Sequence, residues 1–263
     1  MPFAPADRAR IYYELHGPKP GDAPAIVFAH GNGGNHLSWW QQVPHFRDRF
    51  TCLVFDHRGW GRSDEEPGGP GGAAFAADLG AVMDHAGIAR ATLVAQSMGG
   101  WTCLGFALAH PERVERLVMC DTHGGLTSAE IAPLVDAAFR SPPPLPPGVH
   151  PAAGVRMHRD QPALHFLYEE IAALNPEMAP RERFAFLRAI PSPTAEQVRR
   201  LPMPVHFIAG EEDIVIPPPI LDAAAACFAG ASVRRVPEAG HSVYFERPDA
   251  FNRLLDEFLA AKA

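Results

Sequence analysis

The sequence lacks long hydrophobic segments. No uncharged apolar run approaches the ~20 residues that a membrane-spanning helix requires. The first residues, M-P-F-A-P-A-D-R, contain no basic segment followed by an apolar stretch, which is the pattern of a secretory leader. We therefore expect a protein that has no membrane partner and resides in the cytoplasm.

Cysteine is scarce, and basic residues are outnumbered by acidic ones. The four cysteines form no C-x-x-C pair, which argues against a zinc site or a redox pair. We interpret them as reduced, buried, small apolar side chains: Cys52, Cys103, Cys120 and Cys227. The formal net charge of −7 argues against nucleic acid as a partner, because its phosphates require a basic surface.

Short apolar runs alternate with helical segments along most of the 263 residues. Buried strands are predicted at residues 25–29, 52–55, 91–95, 117–120 and 205–209, with further strands at 10–15 and 232–236. Helices are predicted at residues 37–46, 73–86, 98–110 and 245–261. This alternation predicts an α/β protein, in which a mostly parallel sheet carries helices on both faces.

Residues 124–200 interrupt the alternation, because they contain no convincing strand. Helices are expected at 128–140, 163–174 and 181–189. The run S-P-P-P-L-P-P-G between the first two is interpreted as a stiff connector, with a polyproline recognition segment as the less favoured alternative. We predict that residues 1–123 and 201–263 form the core and that 124–200 form a helical cap over the strand ends. An ordinary surface elaboration is the alternative.

The segment A-Q-S-M-G at residues 95–99 joins a predicted strand to a predicted helix. This is the context in which a strained turn exposes a nucleophilic serine, and small residues two positions before and after Ser97 leave room for that turn. Ala95 stands where the G-x-S-x-G pattern has its first glycine, and one methyl group is a small obstacle. Ser97 is therefore the candidate nucleophile, and an ordinary turn or cap is the alternative.

Two candidate partners follow Ser97 in the chain. Asp213 comes just after the predicted strand 205–209, and His241 comes just after the predicted strand 232–236. The order serine, acid, histidine is that of a serine hydrolase built on an open α/β sheet. Active sites of such sheets assemble at the carboxyl ends of the strands. The identity of the acid stays open, with Asp213 favoured over three alternatives: Asp121, Glu211 and Glu212.

Six motifs together resemble the α/β-hydrolase superfamily with a helical cap. They are H-G-N-G-G at 30–34, D-H-R-G-W-G-R-S-D at 56–64, Q-S-M-G-G at 96–100, H-P-E-R-V at 110–114, G-E-E-D at 210–213 and G-H at 240–241. The resemblance covers nearly all of the chain outside the cap, and it is specific for the fold but not for the substrate. It implies that the backbone N–H groups of Asn32 and Met98 form an oxyanion hole, which stabilises the charge that develops in acyl transfer. His30 is interpreted as a buttress of the turn.

Among capped members of the superfamily, the glycine-rich turn resembles the branch of enol-lactonases and small arylesterases. We expect hydrolysis of a small carboxylic ester or lactone through an acyl-enzyme on Ser97, with His241 as the base and Asp213 as its partner. Neither a metal nor an organic cofactor is expected. The alternatives are a carbon–carbon bond hydrolase of ring-cleavage products, a perhydrolase, and a small-molecule receptor with little turnover.

Three aromatic residues are candidates for the substrate pocket: Trp39, Trp101 and His123. For the two tryptophans, packing in the core or under the cap is an equally good interpretation. We expect the protein to be a monomer or a homodimer.

Overall fold

The computed structural model describes residues 2–177 and 186–261. Eight strands form one sheet: β1 Phe3–Ala6, β2 Ala9–His16, β3 Ala25–Ala29, β4 Thr51–Phe55, β5 Ala91–Gln96, β6 Val114–Cys120, β7 Val205–Gly210 and β8 Ser232–Val236. Their order across the sheet is β1-β2-β4-β3-β5-β6-β7-β8. The β1–β2 and β2–β4 pairs are antiparallel, and all the other pairs are parallel.

Helices cover both faces of the sheet. They are α1 Gln42–Phe46, α2 Phe75–His85, α3 Gly99–Ala109, α4 Ile131–Arg140, α5 Gly154–Asp160, α6 Pro162–Ala173, α7 Ala195–Arg199, α8 Pro218–Ala225, α9 Val243–Glu246 and α10 Pro248–Ala260. Successive strand residues point to opposite faces, so Val27 joins the core under α2, α3 and α8, while Phe28 joins the core under α10. The predicted α/β architecture is confirmed.

Two predicted helices are each broken in two. The segment 37–46 consists of a 3₁₀ turn, His36–Trp39, followed by α1. The segment 245–261 consists of α9 and α10, which meet at Arg247. Proline disfavours the helical conformation in the residue before it, so Arg247 adopts a φ of −133° and Pro248 begins a new helix.

Other differences concern the ends of elements and elements that the patterns did not reveal. The helix predicted at 128–140 begins only at Ile131. The helix predicted at 181–189 lies mostly outside the described residues, which resume at 186 with a 3₁₀ turn, Phe186–Ala189. Sequence patterns missed β1, α5, α7 and α8. The two prolines that open α8 are a signal for a helix start.

Helices α4 to α7 lie between β6 and β7, within residues 124–200, which we term the insert. The N–H of Thr127 donates to the carbonyl of Pro193 at 3.1 Å, so the two ends of the insert lie side by side. Its buried residues join the apolar clusters of the sheet, Ile131 on one face and Met157 on the other. The insert therefore shares its apolar packing with the body of the protein.

None of the helices in 2–177 and 186–261 is long and apolar enough to cross a bilayer. All four cysteines are free and buried, as expected from their apolar surroundings.

Candidate active site

Ser97 occupies a tight turn between β5 and α3. Its φ of +47° lies in the left-handed region, which costs a non-glycine residue energy and is typical of a functional turn. The N–H of Ser97 donates to the carbonyl of Cys120 at 3.1 Å, and its own carbonyl accepts from Gly100 at 2.8 Å. A Cβ atom at Gly99 would lie 2.3 Å from the carbonyl oxygen of Ala29, so this position requires glycine. The predicted strained turn is present, and it accommodates the methyl group of Ala95.

The imidazole of His241 lies between the side chains of Ser97 and Asp213. Its Nε2 atom is 2.9 Å from Oγ of Ser97, and its Nδ1 atom is 2.8 Å from Oδ2 of Asp213. The carboxylate accepts the Nδ1–H, which leaves Nε2 to accept the serine hydroxyl proton. The other oxygen of Asp213 accepts the N–H groups of Val215 and Ile216 at 2.8 and 2.9 Å. The carboxylate is thus held in the orientation that fixes the ring.

The charges around His241 suit it to accept a proton. Burial by itself lowers the pKa of the imidazole, but the carboxylate of Asp213 and the nearby Asp121 and Glu246 outweigh it, so the pKa is raised above its usual value. The carboxylate of Asp213, to which the ring is bonded, thus favours the protonated form of the imidazole.

Asp121, the alternative acid, bonds to backbone groups. Its Oδ1 atom accepts the N–H of Gly210 at 2.9 Å, and its Oδ2 atom accepts the N–H of Val243 at 3.1 Å. Burial, together with the charge of Asp213, raises the pKa of Asp121 to about 7. Asp121 therefore links the loop that carries Asp213 to the segment that follows His241.

The two glutamates that the sequence left open as acids lie elsewhere. Glu211 is exposed, and Glu212 forms an ion pair with Arg156 of α5. Of the four candidate acids, Asp213 is the one bonded to the imidazole.

Two further side chains hold the backbone around His241, and sequence reasoning did not find them. The buried carboxylate of Glu246 accepts the N–H of Gly240 at 2.9 Å and the N–H of Ser242 at 3.1 Å. The amide of Gln96 donates to the carbonyl of His241 at 2.8 Å. Burial raises the pKa of Glu246 to about 7. Both residues act on the backbone, and such contacts leave no recognisable pattern in a single sequence.

The glycine-rich turn at residues 31–34 carries the predicted oxyanion residue Asn32, and we term it the oxyanion turn. It lies directly against the nucleophile turn, which carries the candidate nucleophile Ser97. A Cβ atom at Gly31 would lie 2.1 Å from Oε1 of Gln96 and 3.0 Å from Cβ of Ser97, so only glycine fits there. Asn32 follows in this turn, and Met98 is the N-cap residue of α3, where backbone N–H groups lack partners within the helix. The turn that carries Asn32 therefore packs against the turn that carries Ser97 and Met98. The role of the Asn32 and Met98 N–H groups as oxyanion donors stays a prediction.

A chain of hydrogen bonds connects the oxyanion turn to α3. The Nδ1–H of His30 donates to the carbonyl of Gly31 at 2.7 Å, and the Nε2 atom of His30 accepts from Nδ1 of His57 at 3.1 Å. The hydroxyl of Thr102 in α3 completes the chain, 2.8 Å from Nε2 of His57. Burial lowers the pKa of His30 to about 4 and lowers that of His57 as well, so both rings are neutral. This arrangement matches the interpretation of His30 as a buttress.

Of the three candidate pocket residues, Trp39 does not fit the prediction that it lines the substrate pocket. Its side chain is fully buried, with ring centroids 5.0 Å from Phe28 and 4.4 Å from Tyr244, because the 3₁₀ turn directs it onto β3. It belongs to the core, as the alternative interpretation had it. Trp101 is half-buried at the start of α3, and its ring centroid lies 5.1 Å from that of His123. Burial lowers the pKa of His123. A pocket role for these two residues stays a prediction.

Comparison with known proteins indicates the class of enzyme that this chain resembles. Residues 24–148 match the model of a family described as alpha/beta hydrolase fold. A putative carbamate hydrolase of Caulobacter is 27% identical, over 96% of this chain and 97% of its own length. The 3-oxoadipate enol-lactonase 2 of Acinetobacter baylyi is 29% identical, over 89% of this chain and 88% of its own.

Solved structures agree with these relatives. An N-acyl homoserine lactone degrading enzyme has a TM-score of 0.78 at 28% identity, covering 98% of this chain and 100% of its own. The enol-lactonase of Burkholderia xenovorans has a TM-score of 0.78 at 26% identity, covering 99% of this chain and 100% of its own. The resemblance predicted from the motifs is confirmed: the protein has the α/β-hydrolase fold, and it is a hydrolase.

Proposed function

We propose that the protein hydrolyses carboxylic esters or lactones of small molecules through an acyl-enzyme on Ser97. The observation that carries this proposal is the position of the His241 imidazole, which bonds to Ser97 through one nitrogen and to Asp213 through the other. A hydroxyl with such a base is activated for attack on a carbonyl carbon, and a fixed carboxylate stabilises the imidazolium.

The reaction proceeds in two halves. Oγ of Ser97 attacks the carbonyl carbon while Nε2 of His241 takes its proton, and the carbonyl oxygen becomes an oxyanion that the N–H groups of Asn32 and Met98 stabilise. His241 then protonates the leaving alcohol as the tetrahedral intermediate collapses to the acyl-enzyme. Water attacks the acyl group with His241 again as base, which releases the acid and restores the serine hydroxyl.

The test compares wild type with Ser97→Ala on p-nitrophenyl acetate. Replacing the nucleophile should lower kcat by about 10⁶-fold, as is usual when such a serine is lost. Ser141→Ala, which alters an exposed serine after α4, is the matched control and should retain wild-type kinetics. Intact-mass analysis after reaction with a serine-directed phosphonate should show one adduct that Ser97→Ala lacks. Equal turnover in wild type and Ser97→Ala would overturn the proposal.

A substrate panel distinguishes the alternatives. Esters and lactones of graded length, a carbamate ester and a vinylogous diketone should be offered to the same preparation. The carbamate is included because a putative carbamate hydrolase is among the relatives. Turnover of the diketone alone would favour a carbon–carbon bond hydrolase. If the protein bound a compound tightly but needed longer than minutes for each turnover of every compound, a small-molecule receptor would be favoured.

A further inference from the structure

The oxyanion turn has little intrinsic rigidity. Its sequence is G-N-G-G, and glycine restricts the backbone least of all residues. Its order therefore depends on partners, and each of its four carbonyl groups accepts a hydrogen bond. The donors are His30 Nδ1 to Gly31 at 2.7 Å, Trp60 Nε1 to Asn32 at 2.6 Å, and Asn175 Nδ2 to Gly33 and Gly34 at 3.4 and 3.2 Å.

Asn175 differs from the other two donors because it belongs to the insert. It follows α6, and its side-chain oxygen accepts the N–H of Gly61 at 3.0 Å. One amide thus bonds to the turn after β3 and to the loop after β4. A second hydrogen bond joins the insert to the segment after the oxyanion turn: Nδ2 of Asn35 donates to the carbonyl of Ile171 in α6 at 2.9 Å.

The hydrogen bonds of Asn175 lead to the N–H of Asn32 in two steps. The peptide unit that contains the Gly33 carbonyl also contains the N–H of Gly34, which donates to the carbonyl of Gly31 at 3.0 Å. The peptide unit that contains the Gly31 carbonyl also contains the N–H of Asn32. Because each peptide unit is planar and rigid, the direction of the Gly33 carbonyl constrains the direction of the Asn32 N–H.

We propose that Asn175 is a positioning residue for the oxyanion hole, so that the hole is fully formed only while the insert is docked on residues 31–34. This inference rests on the proposed acyl-transfer function. An oxyanion donor stabilises the transition state and leaves the ground state unaffected, so its misplacement lowers kcat more than it changes KM. A residue that served packing alone would alter the melting temperature without that selective effect.

The test uses two variants of the full chain, Asn175→Asp and Asn175→Ala. Aspartate has the size of asparagine and keeps an acceptor for Gly61, but it cannot donate to the carbonyls of Gly33 and Gly34. Both variants should lose about 10- to 100-fold in kcat on p-nitrophenyl acetate, less than the full loss of one oxyanion donor, with KM within twofold of wild type. Affinity for an aryl boronic acid, which forms a tetrahedral adduct with the serine, should fall by a similar factor.

The control is Gln197→Ala, which removes another side-chain amide of the insert. Within the described residues, the hydrogen bonds of this amide go only to Thr194, at the N-terminal cap of α7. Its kcat, KM and boronate affinity should equal those of wild type. Circular dichroism and thermal melting establish which variants are folded, and either folded Asn175 variant decides the matter.

The possible failures are distinguishable. If wild type shows no Ser97-dependent turnover, the proposed function fails, and this inference fails with it. If wild type turns over through Ser97 but Asn175→Asp retains its kcat and its boronate affinity, the positioning role alone is overturned.

Discussion

Oγ of Ser97 lies 2.9 Å from Nε2 of His241, although the two residues are 144 positions apart. Ser97 follows β5 and His241 follows β8. Both strands belong to the parallel part of the sheet, so their carboxyl ends lie along one edge. The loops after β3 and β7 reach the same edge with Asn32 and Asp213. This convergence makes the roles of individual residues open to test.

The first prediction concerns which acid serves His241. Asp213→Asn should lower kcat by about 10⁴-fold, because the imidazole loses the carboxylate that selects its tautomer and stabilises its charged form. Asp121→Asn should cost less than about tenfold in kcat and act mainly on stability, since Asp121 bonds to backbone groups. Steady-state kinetics measures the loss of kcat in each variant, and urea denaturation measures the loss of stability. A larger kcat loss in Asp121→Asn would reverse the assignment.

The second prediction concerns the pH dependence of the reaction. His241 must be neutral to accept the serine proton, so kcat/KM should rise with pH through its pKa, which lies above the usual 6.5. Asp213→Asn removes the main charge that raises this pKa. In this variant the effect of burial should dominate and lower the pKa of His241. The acidic limb of the kcat/KM profile should then move to lower pH, and the plateau value of kcat/KM should fall. An acidic limb unchanged by the substitution would show that another group controls it.

The third prediction concerns Glu246 and stability. Burial raises the pKa of its carboxyl from 4.5 to about 7, so between these values the folded protein keeps a proton that the unfolded chain has released. This group therefore stabilises the fold below pH 4.5, and its contribution is lost as pH rises towards 7.

Glu246→Gln removes this titration. The free energy of unfolding of the variant, relative to wild type, should increase by up to about 3 kcal/mol between pH 4.5 and pH 8. Urea denaturation across that range gives the difference, and Glu211→Gln, at an exposed site, is the control. A difference that stays constant with pH would refute the prediction. A pH-independent offset is also expected, because glutamine lacks one acceptor for the N–H groups of Gly240 and Ser242.

The fourth prediction concerns the two tryptophans considered for the pocket. Trp39→Ala should cost about 3–5 kcal/mol in stability, as is typical for a large core side chain, and leave the preference between acetyl and hexanoyl esters unchanged. Trp101→Ala should cost less stability, since its side chain is only half-buried. Thermal melting and the ratio of kcat/KM for the two esters measure both effects. If folded Trp39→Ala showed a different preference between the acetyl and hexanoyl esters, Trp39 would have a role in the substrate pocket.

Sequence patterns were most informative where one local environment dictates the residues. The strand predicted at 25–29 coincides with Ala25–Ala29, because a strand buried on both faces requires a continuous apolar run. Ser97 was recognisable because its strained turn requires small neighbours. Trp39 was misplaced because its direction depends on a 3₁₀ turn that apolar periodicity does not distinguish from an α-helix.

Residues that support the site through the backbone could not be predicted. Gln96 and Glu246 bond to main-chain atoms around His241, and Asn175 bonds to carbonyls more than 100 positions away. Any polar side chain of suitable reach can make such bonds, so residue type and spacing carry no signal for them.

The sequence by itself determined the alternation of strands and helices, the nucleophile turn, and the order of Ser97, Asp213 and His241, because local sterics and burial impose these patterns residue by residue. Only the tertiary structure decided which carboxylate bonds to the imidazole, which aromatic side chains lie in the core, and which amide of the insert reaches the oxyanion turn. These outcomes depend on distances between segments remote in the chain, and such distances are set by the packing of the whole sheet with its helices.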